Sequence, residues 1–300
     1  MFWAGDAPRL VVLALVLAGG CAAPQYAVRP TPAPDESAWA RELEQTISAY
    51  QARELERQGA RPVSRGERLF GFDLQHTVDR LSRVTERPAL AYRVFLLQDK
   101  DPNAIALADG RTYITTGMLN YLASRGSRDS ELATVLSHEL AHTVAQHLVK
   151  RYDQLQQQQL LMTVVGLGAA VAAQQGGAPA QQMGQAAQDI AGLLSDVAAS
   201  GYSQEQELEA DQLGIRYLIR AGYDPRTALE LLQDFARFDA PWSFLRTHPP
   251  TSRRLEDLAR YLAERDDERR RLLNAQHLYP AGSQSWKNLQ RQLEELEGRR

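Results

Sequence analysis

The spacing of apolar residues along the chain predicts a mainly helical protein. Within residues 38–60, Trp39, Leu43, Ile47 and Tyr50 recur at intervals of three and four, which is the period of one helix face. Similar spacing and helix-capping residues predict further helices over residues 73–86, 127–150, 203–221, 224–238, 251–273 and 285–298. Helices are therefore expected to make up most of the folded part of the chain.

β-Structure is predicted in one region ahead of the long helices. Residues 92–97 (YRVFLL) form a short run typical of a strand. Residues 104–107 and 112–115 flank Asp109-Gly110, a dipeptide favoured in hairpin turns. A small meander of about three strands is expected, which makes the fold class α+β.

The N-terminus has the features of an export signal. Residues 10–18 (LVVLALVLA) form an apolar run of signal-peptide length, too short to span a bilayer. Small residues follow it and precede Cys21, the single cysteine of the chain, in a pattern that resembles the bacterial lipobox. An exported chain with one cysteine forms no internal disulfide, so we expect lipid on Cys21. An ordinary signal peptide or a buried thiol is the alternative.

The composition suggests how the chain is divided. We expect a signal peptide over residues 1–20, a lipidated cysteine and proline-rich tether over 21–37, one domain over 38–275 and a tail over 276–300. Residues 153–200 are rich in Gln, Ala and Gly, which fits a helical hairpin packed on the body, a mobile cover for a functional site, or a surface that contacts a membrane or a client protein.

The charge and the residue after the cysteine bear on partners and location. The formal net charge of -3 leaves no basic surplus, so nucleic acid is not an expected partner. Ala22, and not an aspartate, follows the cysteine. We therefore expect the lipid to hold the protein at the inner leaflet of the outer membrane, facing the periplasm.

Residues 138–142 read His-Glu-Leu-Ala-His, an H-E-x-x-H sequence within a predicted helix. Positions i and i+4 lie on one helix face, so His138 and His142 can bind one metal ion. Glu139 lies beside them and can take a proton from metal-bound water. One Zn²⁺ per chain is the expected cofactor.

The helix predicted over residues 203–221 offers a third ligand. Glu207 and Asp211 are four residues apart and share a face. Glu207 can complete a His₂Glu zinc site, and Asp211 can accept the other ring N–H of a ligand histidine. Each acid taken singly fits a charged helix surface. The H-E-x-x-H sequence about 65 residues upstream favours the ligand interpretation.

Three nearby groups receive other predictions. His248 lies in a loop stiffened by two prolines (THPPT, 247–251), either exposed or reaching the zinc ion. At the zinc ion it would stabilise an oxyanion or occupy the open position in a resting form. His147 and Glu209 lie off the ligand faces, so His147 is expected to be structural and Glu209 to be solvated.

Four segments occur in a specific order between residues 70 and 262. They are N-A-x-A-L-x-x-G at 103–110, H-E-L-A-H at 138–142, E-x-E-A-D at 207–211 and H-P-P-T-x-x-R at 248–254. Together they resemble the HtpX and CAAX-prenyl-protease family of zinc metallopeptidases, family forty-eight. The resemblance implies a mainly helical gluzincin domain with a small β-sheet beside the active-site helix. It also implies that His138, His142 and Glu207 bind zinc and that Glu139 is the catalytic base.

The chain resembles most the lipoprotein-like periplasmic members of that family. This implies an endopeptidase that cleaves misfolded or stalled envelope proteins, with the outer-membrane assembly machinery as a further partner. Residues 111–115 (RTYIT) are a candidate edge strand for an extended substrate, and ordinary sheet packing is the alternative. Other interpretations are a chaperone or assembly factor with a covered zinc site, and a structural lipoprotein that has kept the motif.

Overall fold

The computed structural model describes residues 34–126, 129–167, 188–194, 197, 201–237 and 242–296. The predicted signal peptide, Cys21 and most of the tether lie outside these residues, as do residues 168–187 of the Gln/Ala-rich segment. The helices are α1 Ala38–Arg57, α2 Leu74–Ser82, α3 Thr116–Ser124, α4 Asp129–Val144, α5 His147–Leu167, α6 188–194, α7 Gln204–Arg220, α8 Arg226–Phe235, α9 Ser243–Thr247, α10 Ser252–Gln276 and α11 Gln284–Leu296. Among the described residues, none of these helices has the length and apolar character to cross a bilayer.

Side-chain caps set the start of the two helices that matter most for the functional site. Ser203 Oγ accepts a hydrogen bond from Gln206 N, and the Gln206 side chain accepts one from Ser203 N, a reciprocal capping box at the start of α7. Thr251 Oγ1 caps α10 in the same way by accepting from Arg254 N. The starts predicted for both helices from these polar residues are confirmed.

The prediction of one continuous helix over residues 127–150 is wrong, because two helices occupy that segment. α4 ends at Val144 and α5 begins at His147. Between them Gln146 adopts a left-handed φ of 55°. Its side chain accepts from Asp35 N at 2.6 Å and donates to Glu44 Oε1 at 2.8 Å. These bonds to the N-terminal segment hold a backbone conformation that non-glycine residues rarely adopt.

The main sheet has four strands in the order β1-β4-β6-β5, and β2 and β3 form a separate hairpin. β4 pairs in parallel with β6, whereas β5 pairs with β6 in antiparallel fashion. The expected meander is therefore wrong, since β6 lies between its two partners. Residues 111–115 form no free edge for the same reason; β1 and β5 are the edge strands of this sheet. The strands are β1 Arg61–Pro62, β2 Arg68–Leu69, β3 Phe72–Asp73, β4 Arg93–Leu97, β5 Ala104–Ala106 and β6 Arg111–Thr115.

Burial explains why β6 is interior and β5 is not. Tyr113 and Ile114 of β6 are both at most 1% exposed, so both faces of that strand are covered. β5 has small alanines at two of its three positions and leaves one side free. A long apolar strand gains more from two neighbours than a short alanine strand does.

α4 runs through the centre of the core. All its residues from Glu131 to Val144 are buried, and α7 is the helix packed most closely against it. Gly214 of α7 permits this approach, because an added Cβ would lie 3.3 Å from Ser137 Oγ and 3.4 Å from His138 N. The polar residues of α4 are consequently removed from water and need partners inside the protein. The predicted α+β, mainly helical fold is confirmed.

Candidate metal centre

Four side chains from three parts of the chain converge beside α4. One atom each from His138, His142, Glu207 and His248 lies within 4.8 Å of the others, and all four residues are buried. We call these four residues the ligand cluster. α4 supplies the first two, α7 supplies Glu207, and the segment after α9 supplies His248. The structure thus brings the predicted ligands together.

The distances within the ligand cluster are short. His138 Nε2 lies 3.1 Å from His142 Nε2 and 3.3 Å from His248 Nδ1. Glu207 Oε1 lies 2.9 Å from His248 Nδ1 and 3.5 Å from His142 Nε2. Three ring nitrogens and a carboxylate oxygen therefore face a common point.

The outward nitrogens of the two α4 histidines have fixed partners. His138 Nδ1 lies 3.0 Å from Asp211 Oδ1. His142 Nδ1 lies 2.8 Å from His147 Nδ1, whose other nitrogen lies 3.0 Å from Glu209 Oε2. These contacts turn the Nε2 atoms of both histidines toward the cluster centre. The expected solvation of Glu209 is wrong, because the break at Gln146 places His147 against it.

Arg254 supports both acids of α7. Its guanidinium bonds Asp211 through two nitrogens at 2.8 Å each, and Nη1 lies 2.6 Å from Glu207 Oε2. Burial opposes ionisation of Glu207, but Arg254 and His248 hold its pKa well below the ordinary value. Burial also opposes ionisation of Asp211, and Arg254 keeps the pKa of that carboxyl low as well. Both carboxyls are therefore anionic at neutral pH.

Burial and the two acids of α7 set the protonation of the histidines. Burial and the charges of His138 and His147 lower the pKa of His142 well below 6.5, so its Nε2 lone pair is free. Burial works against a charge on His138 as well, but the hydrogen bonds that it donates to Asp211 and Glu207 raise its pKa to about 9. The two acids thus draw a proton into the cluster.

The donor set fits a divalent metal ion. A single proton can form a hydrogen bond between only two of the facing ring nitrogens. The lone pairs of the remaining ligand atoms then have no donor. A cation at the centre would satisfy all of them and balance the acids. Two or three imidazoles with one carboxylate are typical zinc ligands. The residues present therefore fit the metal that the sequence predicts.

Glu139 lies next to the ligand cluster with one oxygen held and one free. Oε2 accepts a hydrogen bond from Ala106 N of β5 at 2.9 Å. Oε1 is buried and accepts no hydrogen bond from the described residues, although His248 Nε2 lies 3.4 Å away. Burial raises the pKa of Glu139 above the ordinary value, against the charges of His248 and His138. Such a carboxyl is suited to exchanging a proton.

A cleft of about 240 Å³ opens onto Glu139 and His248, and β5 forms one wall of it. We call it the β5 cleft. Asn103 O and Leu107 N bond β6, so by alternation the backbone groups of Ala104 and Ala106 point away from β6. The Ala106 N–H is the donor to Glu139. The β5 cleft therefore has a strand edge beside the candidate base.

Three residues of the site were not predicted from the sequence. Tyr202 stacks on the His142 ring with centroids 3.9 Å apart, and burial raises its pKa, so its hydroxyl stays neutral. Arg254 stands in the H-P-P-T-x-x-R segment, which was a usable signal. His147 and Tyr202 had no comparable signal, since their positions depend on the helix break and the loop before α7.

Comparison with known proteins shows a match to a peptidase family. The model of peptidase family M48 matches residues 72–262, a segment that contains the whole ligand cluster. The beta-barrel assembly-enhancing protease of Escherichia coli (strain K12) is 32% identical over 172 residues, covering 55% of this chain and 33% of that protein.

Two mitochondrial proteins are also similar. The mitochondrial metalloendopeptidase OMA1 of Arabidopsis thaliana is 29% identical over 173 residues, covering 57% of this chain and 31% of that protein. OMA1 of Saccharomyces cerevisiae is 23% identical over 279 residues, covering 84% of this chain and 74% of that protein. The chain spans about a third of the length of the beta-barrel assembly-enhancing proteases.

Proposed function

The chain belongs to peptidase family M48, and on that premise we propose that it is a zinc-dependent endopeptidase. Its metal ligands are His138, His142 and Glu207. The observation that carries the proposal is the convergence of these three side chains with His248 within 4.8 Å. When bound, zinc supplies a Lewis acid for the scissile carbonyl and activates a water molecule.

Glu139 is the proposed general base. The bond from Ala106 N fixes Oε2, so Oε1 is the oxygen available to the attacking water. Glu139 takes a proton from that water and gives it to the amine nitrogen when the peptide C–N bond breaks. Its raised pKa favours this exchange near neutral pH. Asp211 keeps His138 oriented toward the metal.

The free edge of β5 supports an extended polypeptide as substrate. The backbone groups of Ala104 and the carbonyl of Ala106 face the β5 cleft and can pair with a strand laid along it, while the Ala106 N–H stays bonded to Glu139. Unfolded chains present unpaired extended segments more readily than folded domains, in which most strands are already paired. This favours misfolded or stalled proteins of the cell envelope as the substrate class.

The location follows from segments that precede the described residues. A signal peptide over residues 1–20, lipid on Cys21 and a tether over 21–37 hold the 38–275 domain at the inner leaflet of the outer membrane. The name of the Escherichia coli relative refers to β-barrel assembly. We therefore include the outer-membrane assembly machinery among the partners.

A chaperone or assembly factor with a covered zinc site is the second candidate. His248 favours it, because its Nδ1 lies 2.9 Å from Glu207 Oε1 while its Nε2 lies 3.4 Å from Glu139 Oε1. In that position His248 is a fourth ligand of a resting form and blocks the base. It must leave before substrate is cleaved.

The test uses the full chain purified in detergent, with zinc content and casein cleavage as readouts. We expect about one zinc ion per chain, and we expect Glu139→Gln to retain zinc while cleaving at least about 100-fold more slowly. His248→Ala should cleave faster than the parent. His277→Ala, in the tail, is the matched histidine control. A chelator should abolish cleavage, and added zinc should restore it.

Absence of zinc from the purified protein contradicts the proposal. Zinc with undiminished cleavage by Glu139→Gln contradicts the role of the base. Zinc without cleavage by any form, with a Glu139→Gln variant that still complements a deletion strain, supports the assembly-factor function instead.

A further inference from the structure

One face of α1 carries three polar side chains in a row. Glu44, Ser48 and Gln51 are spaced by four and three residues, so they lie along the same side of the helix. Glu44 receives two hydrogen bonds from Arg87 at 2.7 and 2.9 Å. Ser48 Oγ accepts a hydrogen bond from Asp109 N at 3.0 Å. The first two members of the row therefore fasten α1 to the body of the protein.

The third member has no such partner. Gln51 lines the β5 cleft together with Asn103 and Glu139. The side-chain oxygens of Gln51 and Asn103 are buried, and neither accepts a hydrogen bond from the described residues. A buried carbonyl oxygen without a donor destabilises a protein, so native structures rarely keep one without a reason. Both unpaired oxygens lie where the substrate is proposed to bind.

The chemistry of these oxygens limits what can pair with them. An amide oxygen only accepts, so its partner must bring an N–H or O–H group. A polypeptide extended along β5 carries backbone N–H groups at regular intervals on both of its edges. One edge pairs with β5, and N–H groups that do not pair with β5 are left to other side chains that line the β5 cleft, Gln51 among them.

We propose that Gln51 is a substrate-binding residue that accepts a hydrogen bond from a backbone N–H of the peptide. This inference rests on the proposed peptidase function. α1 precedes the segment matched by the family model, so this contact lies outside residues 72–262. Because every residue except proline has a backbone N–H, the contact suits substrates of varied sequence.

The experiment combines variants with N-methylated substrates. Casein cleavage sites mapped by mass spectrometry supply one fluorogenic peptide, and each backbone N–H of that peptide is replaced in turn by N–CH₃. The variants are Gln51→Met, which keeps the length of the side chain, and Gln51→Ala, which suits a helix. Gln45→Met, at an exposed position of the same helix, is the control.

We expect Gln51→Met and Gln51→Ala to lower kcat/KM on the parent peptide about fivefold, chiefly through KM. Zinc content should match that of the parent protein, and the thermal midpoint should be equal or higher, since Gln51→Met removes a buried oxygen that lacks a donor. At one position of the peptide, N-methylation should lower the kcat/KM of the parent protein about fivefold more than it lowers that of either Gln51 variant. Gln45→Met should behave like the parent. A purely structural role of Gln51 does not produce this position-specific coupling.

Equal N-methyl penalties in the parent and both Gln51 variants overturn the inference while the peptidase function stands. Failure of the parent protein to cleave casein overturns the proposed function and the inference together. Casein cleavage by the parent protein distinguishes the two results.

Discussion

At the residue scale, Arg254 is the side chain on which the charges of the site depend. It is 3% exposed and pairs with two acids of α7, Glu207 and Asp211. A buried ion pair is a weak source of net stability, but removal of one partner leaves uncompensated charge in a medium that solvates it poorly.

Arg254→Met is therefore expected to destabilise the metal-free protein by about 3–5 kcal/mol. Arg254→Lys should lose less, since it keeps the charge but not the paired hydrogen bonds to Asp211. Urea denaturation in the presence of chelator measures both changes.

Arg253→Met is the matched control. Arg253 is 40% exposed and lies 3.8 Å from Glu205, so its loss should cost at most about 1 kcal/mol. Similar losses for Arg253→Met and Arg254→Met would contradict the assignment of Arg254.

At the element scale, the start of α3 sets the loop that leads into β5. Gly117 N donates to Asp99 O at 2.7 Å, and Asp101 Oδ2 accepts from Ser243 N of α9 at 3.0 Å. α9 in turn leads directly to His248. The contact of α3 with this loop thus connects the edge strand and the proposed resting ligand.

Gly117→Ala is expected to disturb this connection, because the added Cβ would collide with the Lys100 backbone carbonyl. Overpacking against backbone should cost about 1–3 kcal/mol of unfolding free energy, measured by urea denaturation. Gly192→Ala in α6 is the control, since nothing lies within 4 Å of its Cβ. That change should be neutral or stabilise by up to about 1 kcal/mol. Equal effects of the two substitutions would refute the close packing.

At the scale of the whole molecule, buried tyrosines limit stability at alkaline pH. Tyr92 is 7% exposed, and burial raises its pKa from 10.0 to about 12. Burial and the neighbouring Glu86 raise the pKa of Tyr217 well above 10.0. The folded state prefers the neutral phenols, so their stabilisation is complete below pH 10 and is lost as pH rises through the folded pKa.

For Tyr92 this loss amounts to about 2 kcal/mol between pH 10 and 12. Tyr92→Phe has no phenol to ionise at this position. Over that range its unfolding free energy should therefore fall by about 2 kcal/mol less than that of the parent protein. Tyr50→Phe is the control, because Tyr50 is 45% exposed and water solvates both of its forms. Parallel pH profiles for the parent and Tyr92→Phe would exclude this origin of alkaline unfolding.

Local sequence determined the parts of this protein that depend on neighbours within one or two helical turns. The four-residue spacing of His138 and His142 places both on one face in any α-helix. The caps at Ser203 and Thr251 start α7 and α10 through hydrogen bonds from the backbone N–H three residues later. These features need no information from the rest of the fold.

Tertiary structure decided the features that depend on distant partners. The helix break at Gln146 is held by Asp35, 111 residues away, and it places His147 between His142 and Glu209. β5 became the edge strand because β6 gained more from burial on both sides. Gln51 reaches the β5 cleft only because its helix docks there. Such contacts follow from competition among long-range packing arrangements, which no local pattern records.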